Sequence, residues 1–328
     1  MTGSISHANV TRAGHDLLLT WRGGGDDTSV FVSDDPDDAG VDVRAPDAPG
    51  RLLVPAAGAD RLYFHLFDPD TGFVVTAERR IDLDGPVNFR DIGGHPVDGG
   101  AWIRWGRVYR ADSLASLTDA DQERLVDLGV GHVFDLRTDV EVRRAPDRLP
   151  AEIAYERLAM SSDGRGRRTL LQRIGDGELT AFSEADMVAG YVRMLESFGP
   201  SVIRRIVARV ADGGAIVVHC TAGKDRTGLV AMVLLALAGA DDGHILDDYE
   251  LSARHRPPDP PEALVAEIER VGLDPRRFES MWASPRSVMR ATLERVRSRW
   301  GSVAGYLVEI GVDDQLRRQA HRSLVSGR

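Results

Sequence analysis

The sequence predicts an α/β domain with a central, partly parallel sheet that is flanked by helices and followed by a helical C-terminal region. A small β-sandwich domain precedes it. Two observations predict this arrangement: short β-forming runs separated by turn residues occupy positions 1–84, and strand patterns alternate with helix patterns from position 85 onward. A length of 328 residues suggests two domains or one large one. We therefore expect one domain over residues 1–84 and a second over residues 85–328.

The first domain is predicted from five runs rich in β-formers, with turn chemistry in GGGDD (23–27) and DPDTG (68–72) between them. In one run, Leu62, Phe64 and Leu66 share a face, as a half-buried strand requires. Closely spaced strands with turn signals are typical of a sandwich. The five runs are LLLTWR (17–22), TSVFVS (28–33), RLLV (51–54), RLYFHLF (61–67) and FVVTAE (73–78).

The second domain is predicted from alternating helices and strands. Thr118 is placed as the N-cap of a helix that ends at Gly129, and the strand VGHVFDL (130–136) follows. Later in the chain, AIVVHC (215–220) has the β-branched composition of a buried strand, and TGLVAMVLLALAG (227–239) reads as a hydrophobic helix. Strands that alternate with helices favour a sheet that is at least partly parallel.

Two further helical regions complete the prediction. A helix is expected to open at Ser183, with an apolar stripe that PSVIRRIVARV (200–210) repeats. The stripe consists of Met187, Tyr191, Met194 and Phe198. The tail from about residue 241 is mostly helical, and Ser284 with Pro285 predicts the cap and first turn of a helix that reaches Trp300.

The composition excludes several classes of protein. One cysteine leaves no partner for an internal disulfide. The net charge of −10 gives no basic surplus to neutralise phosphates, so no nucleic acid is expected as a partner. The N-terminus lacks the apolar segment of a signal peptide, and the longest apolar run, 229–240, is too short to span a bilayer. We expect a cytoplasmic protein without stable membrane insertion, with secretion by another route left open.

Residues 219–228, HCTAGKDRTG, contain the sole cysteine and the sole lysine of the chain, Cys220 and Lys224. They join a predicted strand to a predicted helix, so unpaired backbone N–H groups and the positive end of the helix dipole face the loop. Such a loop can cradle an anion. It is not a Walker A loop, because Val218 and Asp225 stand where that pattern needs Gly and Ser or Thr.

The same stretch can supply a nucleophile. A helix N-terminus and a nearby guanidinium lower the pKa of a thiol by roughly one to several units, and the thiolate is the reactive form. Arg226 lies six positions after Cys220, so both can face one concavity, where the guanidinium fork holds two phosphate oxygens. The Thr227 hydroxyl is placed to hydrogen-bond the sulfur, and Gly223 lets the backbone turn its N–H groups inward. We expect a bound phosphoryl group to lie over the sulfur.

This stretch resembles the Cys-x5-Arg loop of the protein tyrosine phosphatase superfamily. In the form HCxxGKDRTG it is similar to the bacterial tyrosine and dual-specificity phosphatases related to mycobacterial protein tyrosine phosphatase B. The resemblance covers about residues 85–328 and implies a cysteine-phosphatase fold. Three upstream segments also support it: NFRDIGG (88–94), RVYRADSL (107–114) and VFDLRTDVEV (133–142). The first domain resembles the fibronectin type III-like modules that are sometimes fused ahead of such phosphatases.

The resemblance implies roles for individual residues. Cys220 would be the nucleophile, Arg226 would hold the phosphate and Thr227 would assist turnover of the thiolate. The Lys224–Asp225 pair is associated with activity on phosphoinositides as well as phosphoproteins, so either is an expected substrate. No cofactor and no metal are expected. The residues expected to contact substrate are His219, which would also support the loop geometry, and Thr221, Ala222, Gly223, Lys224 and Gly228.

The general acid is left open between two aspartates. The Trp-Pro-Asp motif that many tyrosine phosphatases use does not occur. Asp225 lies inside the loop, and Asp135 lies at the carboxyl end of a predicted strand, where sites in α/β sheets assemble. A structural ion pair is an equal alternative for Asp135. Asp91 is expected to be structural.

Other functions remain possible at this point. The same loop could serve a phosphoinositide phosphatase, a rhodanese-like sulfur carrier or a non-catalytic phosphate-binding module. The residues around Cys220 argue against the last two. The basic segment GRGRRTLLQR (164–173) is expected to be a solvated loop, with contact to an acidic substrate as the alternative. The helical tail either covers the site as a lid or completes the core.

Overall fold

The computed structural model describes residues 5–25, 27–43, 50–56, 61–69, 72–161, 170–256, 260 and 262–326. Its N-terminal part contains two antiparallel sheets, with strand orders β1-β2-β5 and β4-β3-β6-β7, around one apolar cluster. The strands are β1 (Ser6–Ala13), β2 (Asp16–Arg22), β3 (Ser29–Ser33), β4 (Val41–Asp42), β5 (Arg51–Pro55), β6 (Tyr63–Asp68) and β7 (Gly72–Ala77). The predicted β structure of the N-terminal part is therefore confirmed as two antiparallel sheets, while its being a separate domain and its likeness to fibronectin type III stay predictions.

Strand β6 differs from its predicted half-buried pattern. Phe64 and Leu66 point into the cluster between the sheets, as expected. Tyr63 and His65, on the other face, are buried as well. The Tyr63 ring packs edge-on against Trp105, 6.1 Å away between centroids, so the second part of the chain covers the face that a lone sandwich would expose.

The second part is built on a five-stranded sheet of order β13-β12-β14-β11-β8. Its strands are parallel except for β8, so the predicted partly parallel sheet is confirmed. In the strand register, Ala111 and Asp135 lie opposite His219, so β11, β12 and β14 end at one edge, where their loops meet. The strands are β8 (Arg90–Asp91), β11 (Val108–Ala111), β12 (Val130–Asp135), β13 (Ala154–Arg157) and β14 (Ala215–His219), and β9 (Pro96–Val97) pairs separately with β10 (Ala101–Trp102).

Helices cover this sheet. Over the described ranges they are α1 (Asp119–Asp127), α2 (Asp139–Arg144), α3 (Leu170–Gly175), α4 (Glu184–Ala211), α5 (Asp225–Ala238), α6 (Asp242–His255), α7 (Glu262–Arg270), α8 (Arg286–Trp300), α9 (Val303–Glu309) and α10 (Asp314–Leu324). The predicted N-caps Thr118 and Ser183 are confirmed, each in a capping box. None of these helices is both long and apolar enough to cross a membrane.

Helix α4 joins the two predicted helical segments and runs through Pro200 without a break, because buried residues on both sides, such as Leu195 and Ile203, anchor it in the core. One helix prediction needs correction. Helix α8 has Pro285 at its N-cap position and no side-chain cap; the Ser284 hydroxyl is buried without a hydrogen-bond partner among the described residues. The tail belongs to the core, since Val288 and other residues of α8 pack into the main apolar cluster. Residues 164–169 of the predicted basic loop lie outside the described residues, and residues 170–173 belong to helix α3, so the loop prediction is wrong for them.

The junction between the two parts is built from buried contacts. Arg61 pairs with Asp91 at 2.9 Å, and its guanidinium lies 4.9 Å from the centre of the Trp105 ring. Asp91 also accepts hydrogen bonds from two backbone N–H groups, which fits its expected structural role. Ile81 and Leu83 belong to an apolar cluster of the second part. The predicted division after residue 84 stays a prediction, and these contacts favour one nearer residue 79.

Candidate functional site

The loop that follows Cys220 connects the central strand β14 to helix α5. Cys220 is 2% exposed and lies at the base of this loop. Gly223 has φ +66°, and a Cβ atom there would lie 2.6 Å from the carbonyl carbon and oxygen of Ala111. Since those neighbours are backbone atoms that cannot move aside, only glycine fits this position. The sharp turn therefore depends on the sequence and on close contact with β11.

Hydrogen bonds hold the carbonyl groups of the loop toward the protein. The donor and acceptor pairs are Ser113 N with Thr221 O at 3.3 Å, Asn88 Nδ2 with Ala222 O at 3.0 Å, and Arg110 Nη2 with Gly223 O at 2.7 Å. No backbone N–H of residues 221–226 donates to another residue in the described part of the chain. With the carbonyls turned away, these N–H groups are free to bind an anion at the helix N-terminus.

A buried ionic cluster supports the loop from behind. Asp248 of α6 pairs with both Arg90 and Arg110, and all three side chains are at most 1% exposed. Arg90 also donates to Ser252 Oγ at 3.0 Å and to the side chain of Asn88. Burial alone would raise the pKa of Asp248, but Arg110 and Arg90 hold it well below its usual range. The cluster thus fixes two of the groups that orient the loop carbonyls.

Arg226 is held by a partner that sequence reasoning missed, Glu141 in the first turn of α2. Arg226 Nη1 and Nη2 donate to the two carboxylate oxygens at 2.9 and 2.7 Å. Its Nε donates to none of the described residues and remains available for a phosphate oxygen. Glu141 also accepts hydrogen bonds from Thr138 and Thr221. Glu141 lies in the segment 133–142 quoted above, but nothing in its local pattern marks a partner 85 residues away.

The electrostatics of this pair follow from its geometry. Burial alone would raise the pKa of Glu141, but the Arg226 guanidinium and the Thr221 and Thr138 donors hold it far below its usual range. Burial alone would lower the pKa of Arg226, but Glu141 and the nearby Cys220 sulfur raise it. Both groups therefore stay charged, and the Arg226 fork stays fixed beside the thiol.

Lys224 and Asp225 form a second pair at the start of α5. Lys224 Nζ donates to Asp225 Oδ1 at 2.7 Å and to the carbonyl oxygen of Ala283 at 2.9 Å. Lys224 is only 6% exposed, because the segment before α8 covers it. The Asp225 side chain is 33% exposed, and Tyr191 donates to its Oδ1. The contact with substrate that the sequence predicts for Lys224 would require this cover to open.

Asp135 and His219 lie in a buried cluster behind the loop. Asp135 is fully buried, and its oxygens accept hydrogen bonds from Arg137 and from Tyr155 Oη. Burial alone would raise the pKa of Asp135, but Arg137 lowers it below its usual range. His219 Nε2 lies 3.1 Å from Asp147, and with Asp135 these residues could share a metal ion. The Arg137 guanidinium, however, lies 2.8 Å from both carboxylates and already provides a positive charge there.

Two other predicted site residues serve packing in this structure. The Thr227 hydroxyl is buried without a hydrogen-bond partner among the described residues, so the predicted bond to the Cys220 sulfur is not formed. The Gly228 N–H donates to the Lys224 carbonyl at 2.9 Å. A Cβ at Gly228 would lie 3.1 Å from the Tyr249 ring, so this glycine lets α5 approach α6 rather than contacting substrate.

Arg256 is a further residue at the rim of the loop. It caps the end of α6, is exposed, and donates from Nη1 to the Thr221 carbonyl at 3.2 Å. Sequence reasoning did not single it out, because 35 residues separate it from the loop. It adds positive charge at the entrance to the anion cradle.

Comparison with known proteins agrees with this geometry. The chain matches the model of the Tyrosine phosphatase family over residues 81–326. A protein of Cupriavidus necator whose name places it among tyrosine-protein phosphatases is 32% identical over 252 residues, which cover 74% of this chain and 89% of the relative. A tyrosine-protein phosphatase of Nostoc commune is 33% identical over 213 residues, which cover 63% of this chain and 70% of the relative. The triple specificity protein phosphatase PtpB of Mycobacterium tuberculosis is 27% identical over 264 residues, which cover 70% of this chain and 94% of the relative.

Proposed function

This chain belongs to the tyrosine phosphatase family, and we propose that it hydrolyses phosphate monoesters through a phosphocysteine at Cys220, without a metal ion or cofactor. One observation carries the proposal. The sole thiol lies at the base of a loop whose carbonyl groups are bonded toward the protein and away from the anion cradle, with the Arg226 guanidinium held beside it. An ester phosphate bound there meets backbone N–H groups, a fixed cation and a nucleophile together.

The first chemical step transfers the phosphoryl group to sulfur. The Cys220 thiolate attacks phosphorus, so the S–P bond forms while the bond between phosphorus and the ester oxygen breaks. Arg226 Nε and the loop N–H groups hold the three phosphoryl oxygens as charge shifts onto them. Asp225 gives its proton to the departing ester oxygen, which leaves as an alcohol.

The second step restores the enzyme. A water molecule attacks phosphorus, the Asp225 carboxylate takes a proton from that water, and the S–P bond breaks. Inorganic phosphate leaves, Cys220 returns to the thiolate, and Asp225 carries a proton again. The sum of the two steps is ester plus water giving alcohol plus phosphate.

Asp225 is our choice for the acid and Asp135 is not. The Asp225 side chain is one-third exposed at the start of α5, beside the cradle. Asp135 is fully buried, and both of its oxygens accept hydrogen bonds from Arg137, which favours its ionised form. The buried Asp135 has no path to the ester oxygen, whereas Asp225 is partly exposed and its Oδ2 accepts no hydrogen bond from the described residues.

For the substrate, we propose phosphotyrosine in proteins, with phosphoserine and phosphothreonine as further candidates. The relatives are named tyrosine phosphatases, and the buried position of Cys220 favours a long side chain that can carry its phosphate to the base of the loop. A phosphoinositide is the alternative, supported by Arg256 at the rim. Since Lys224 is covered, it cannot bind a second phosphate in this conformation.

The cellular setting follows from the same chemistry. A catalytic thiolate must stay reduced, and the cytosol keeps thiols reduced, so we propose that the protein works in the cytoplasm. Its net charge of −10 argues against nucleic acid as a partner.

The test compares the wild-type protein with Cys220→Ser in the presence of EDTA. We expect the wild type to hydrolyse 4-nitrophenyl phosphate, and the variant to lose turnover while still binding tungstate, a phosphate mimic. Turnover that survives in the variant would contradict the proposal. Sulfur transfer from thiosulfate to cyanide would favour the rhodanese-like alternative, and phosphate binding without any turnover the non-catalytic one. Comparing phosphotyrosine peptides with phosphoinositide vesicles then decides between the two substrate classes.

A further inference from the structure

Two tyrosines connect the helical core to the carboxyl group of Asp225. We propose that Tyr191 is a positioning residue: its hydroxyl holds Asp225 Oδ1, so that Oδ2 is the oxygen that carries the proton to the leaving group. The inference rests on the proposed role of Asp225 as the acid.

The two oxygens of Asp225 have different surroundings. Oδ1 accepts hydrogen bonds from Tyr191 Oη and from Lys224 Nζ, the latter at 2.7 Å. Oδ2 accepts none from the residues that the structure describes. An oxygen that already receives two hydrogen bonds is a poor site for a proton, because the proton would face both donors. The contacts therefore leave Oδ2 as the oxygen that gives and takes the proton.

The direction of the hydroxyl chain is fixed by proton counting. The Tyr191 and Tyr249 hydroxyl oxygens are 2.8 Å apart. A phenol has one proton to donate, so when Tyr191 donates to Asp225, Tyr249 donates to Tyr191. Burial first, and the nearby Asp225 charge second, raise the pKa of both tyrosines well above the usual value. Both phenols therefore remain neutral donors throughout the working pH range.

The core holds Tyr191 rigidly. Its ring is 2% exposed on α4 and meets the Tyr249 ring of α6 edge-on, with 6.4 Å between centroids. The sequence placed Tyr191 in an apolar helical stripe with Met187, Met194 and Phe198. A phenylalanine would fill the same space in the core. The hydroxyl of Tyr191 is therefore explained by its hydrogen bond to Asp225 and not by packing. By contrast, Asp225 is one-third exposed, and without this bond only the flexible Lys224 side chain, among the described residues, would hold its Oδ1.

The expected effect depends on the leaving group. A positioned acid contributes about 10² to 10⁴ in rate when the leaving group is poor, and phenols have a pKa near 10. We expect Tyr191→Phe to lower kcat/KM, which reports the first step alone, by about tenfold on phenyl phosphate, part of the full acid contribution. On 4-nitrophenyl phosphate, whose leaving group needs little protonation, the loss in kcat/KM should stay within about twofold. The affinity for tungstate should not change, because Asp225 does not hold the phosphate oxygens.

Tyr306→Phe is the matched control. Tyr306 is 1% exposed, against 2% for Tyr191, and its hydroxyl donates to the Leu195 carbonyl of α4 at 3.0 Å. Its hydroxyl bonds to no residue of the phosphate loop, so this variant should lose a buried hydrogen bond without any dependence on the leaving group. Equal losses on both substrates in Tyr191→Phe, or a leaving-group dependence of the same size in Tyr306→Phe, would overturn the inference.

Asp225→Asn separates this inference from the acid assignment on which it rests. A strong leaving-group dependence in Asp225→Asn together with a flat response in Tyr191→Phe would overturn the role of Tyr191 alone. A flat response in Asp225→Asn would overturn the acid assignment itself. We expect the double variant to match Asp225→Asn in its leaving-group dependence, because Tyr191 acts only through Asp225.

Discussion

Replacing Glu141 by glutamine tests whether the Arg226 fork needs a charged support. The substitution keeps the side-chain shape but removes the negative charge that accepts two hydrogen bonds from Arg226, at 2.9 and 2.7 Å. One carboxylate oxygen also becomes an NH₂ donor, which faces an Arg226 N–H in either orientation, because each oxygen of Glu141 accepts one hydrogen bond from Arg226. The guanidinium would lose its fixed orientation beside Cys220.

The magnitude follows from these two bonds. A hydrogen bond to a charged group contributes about 1.5–3 kcal/mol, and a neutral one about 0.5–1.5 kcal/mol. Replacing the charged acceptor therefore costs about 1 kcal/mol per bond, or about 2 kcal/mol in total, because the side chains are only 17% and 30% exposed. Since about 1.4 kcal/mol is a factor of ten, we expect kcat/KM to fall about 30-fold.

The assay is steady-state hydrolysis of 4-nitrophenyl phosphate by folded protein. Glu156→Gln is the matched control, because Glu156 pairs with Arg205 at 3.0 Å on the edge strand β13, and Arg205 is exposed. We expect the control to keep wild-type kcat/KM, since exposed pairs contribute little. A Glu141→Gln enzyme with kcat/KM within about twofold of wild type would refute the reasoning.

Three other predictions follow from the fold and the loop. Gly223→Ala should lower kcat/KM by at least about tenfold, since a left-handed residue with a Cβ costs about 1–2 kcal/mol before the 2.6 Å contact with Ala111 is counted. Gly177→Ala, with φ +72° and nothing within 4 Å, should leave activity unchanged; equal losses in the two variants would count against the contact. A chain that begins at Arg79 should unfold at a higher temperature than one that begins at Gly85, because it keeps Ile81 and Leu83 in their cluster; equal midpoints would place the division after residue 84. Burial, aided by Arg90, lowers the pKa of His255 from 6.5 to about 4 in the folded protein. Below pH 6.5 the histidine therefore binds more protons in the unfolded chain than in the folded one. The free energy of unfolding should therefore fall as the pH drops from 6.5 to about 4, and a denaturant series on His255→Asn should show a smaller fall.

The sequence predicted those helices and strands whose own residues favour the structure, whatever packs against them. Thr118 and Ser183 cap their helices because a short polar side chain followed by an acidic residue three positions later closes a capping box. Strand β1 was missed because SHANVTRA has too few apolar residues to alternate, and it becomes a strand only by pairing with β2. The path of α4 through Pro200 also depends on packing that a local rule does not include.

Part of the candidate site could likewise be predicted from one stretch of sequence, and part could not. Cys220, Gly223 and Arg226 lie within seven consecutive residues, so the strand, the loop and the helix that bring them together could be predicted from one stretch. Glu141 and Tyr191 reach the loop from 85 and 34 residues away, and their contacts arise only from packing. Each has an ordinary local explanation, as a capping residue and as part of an apolar stripe. Their link to the site became apparent only in three dimensions.

The central claim is that Cys220 carries the phosphoryl group, and the most direct measurement is to trap it there. With an activated aryl phosphate the first step is fast, so the phosphoenzyme accumulates before water attacks. Rapid acid quenching of labelled substrate followed by peptide mapping should place one phosphoryl group on the peptide with Cys220, formed in step with the burst of released alcohol and absent from Cys220→Ser. A resolved burst with no label on that peptide, or with the label on another residue, would contradict the account.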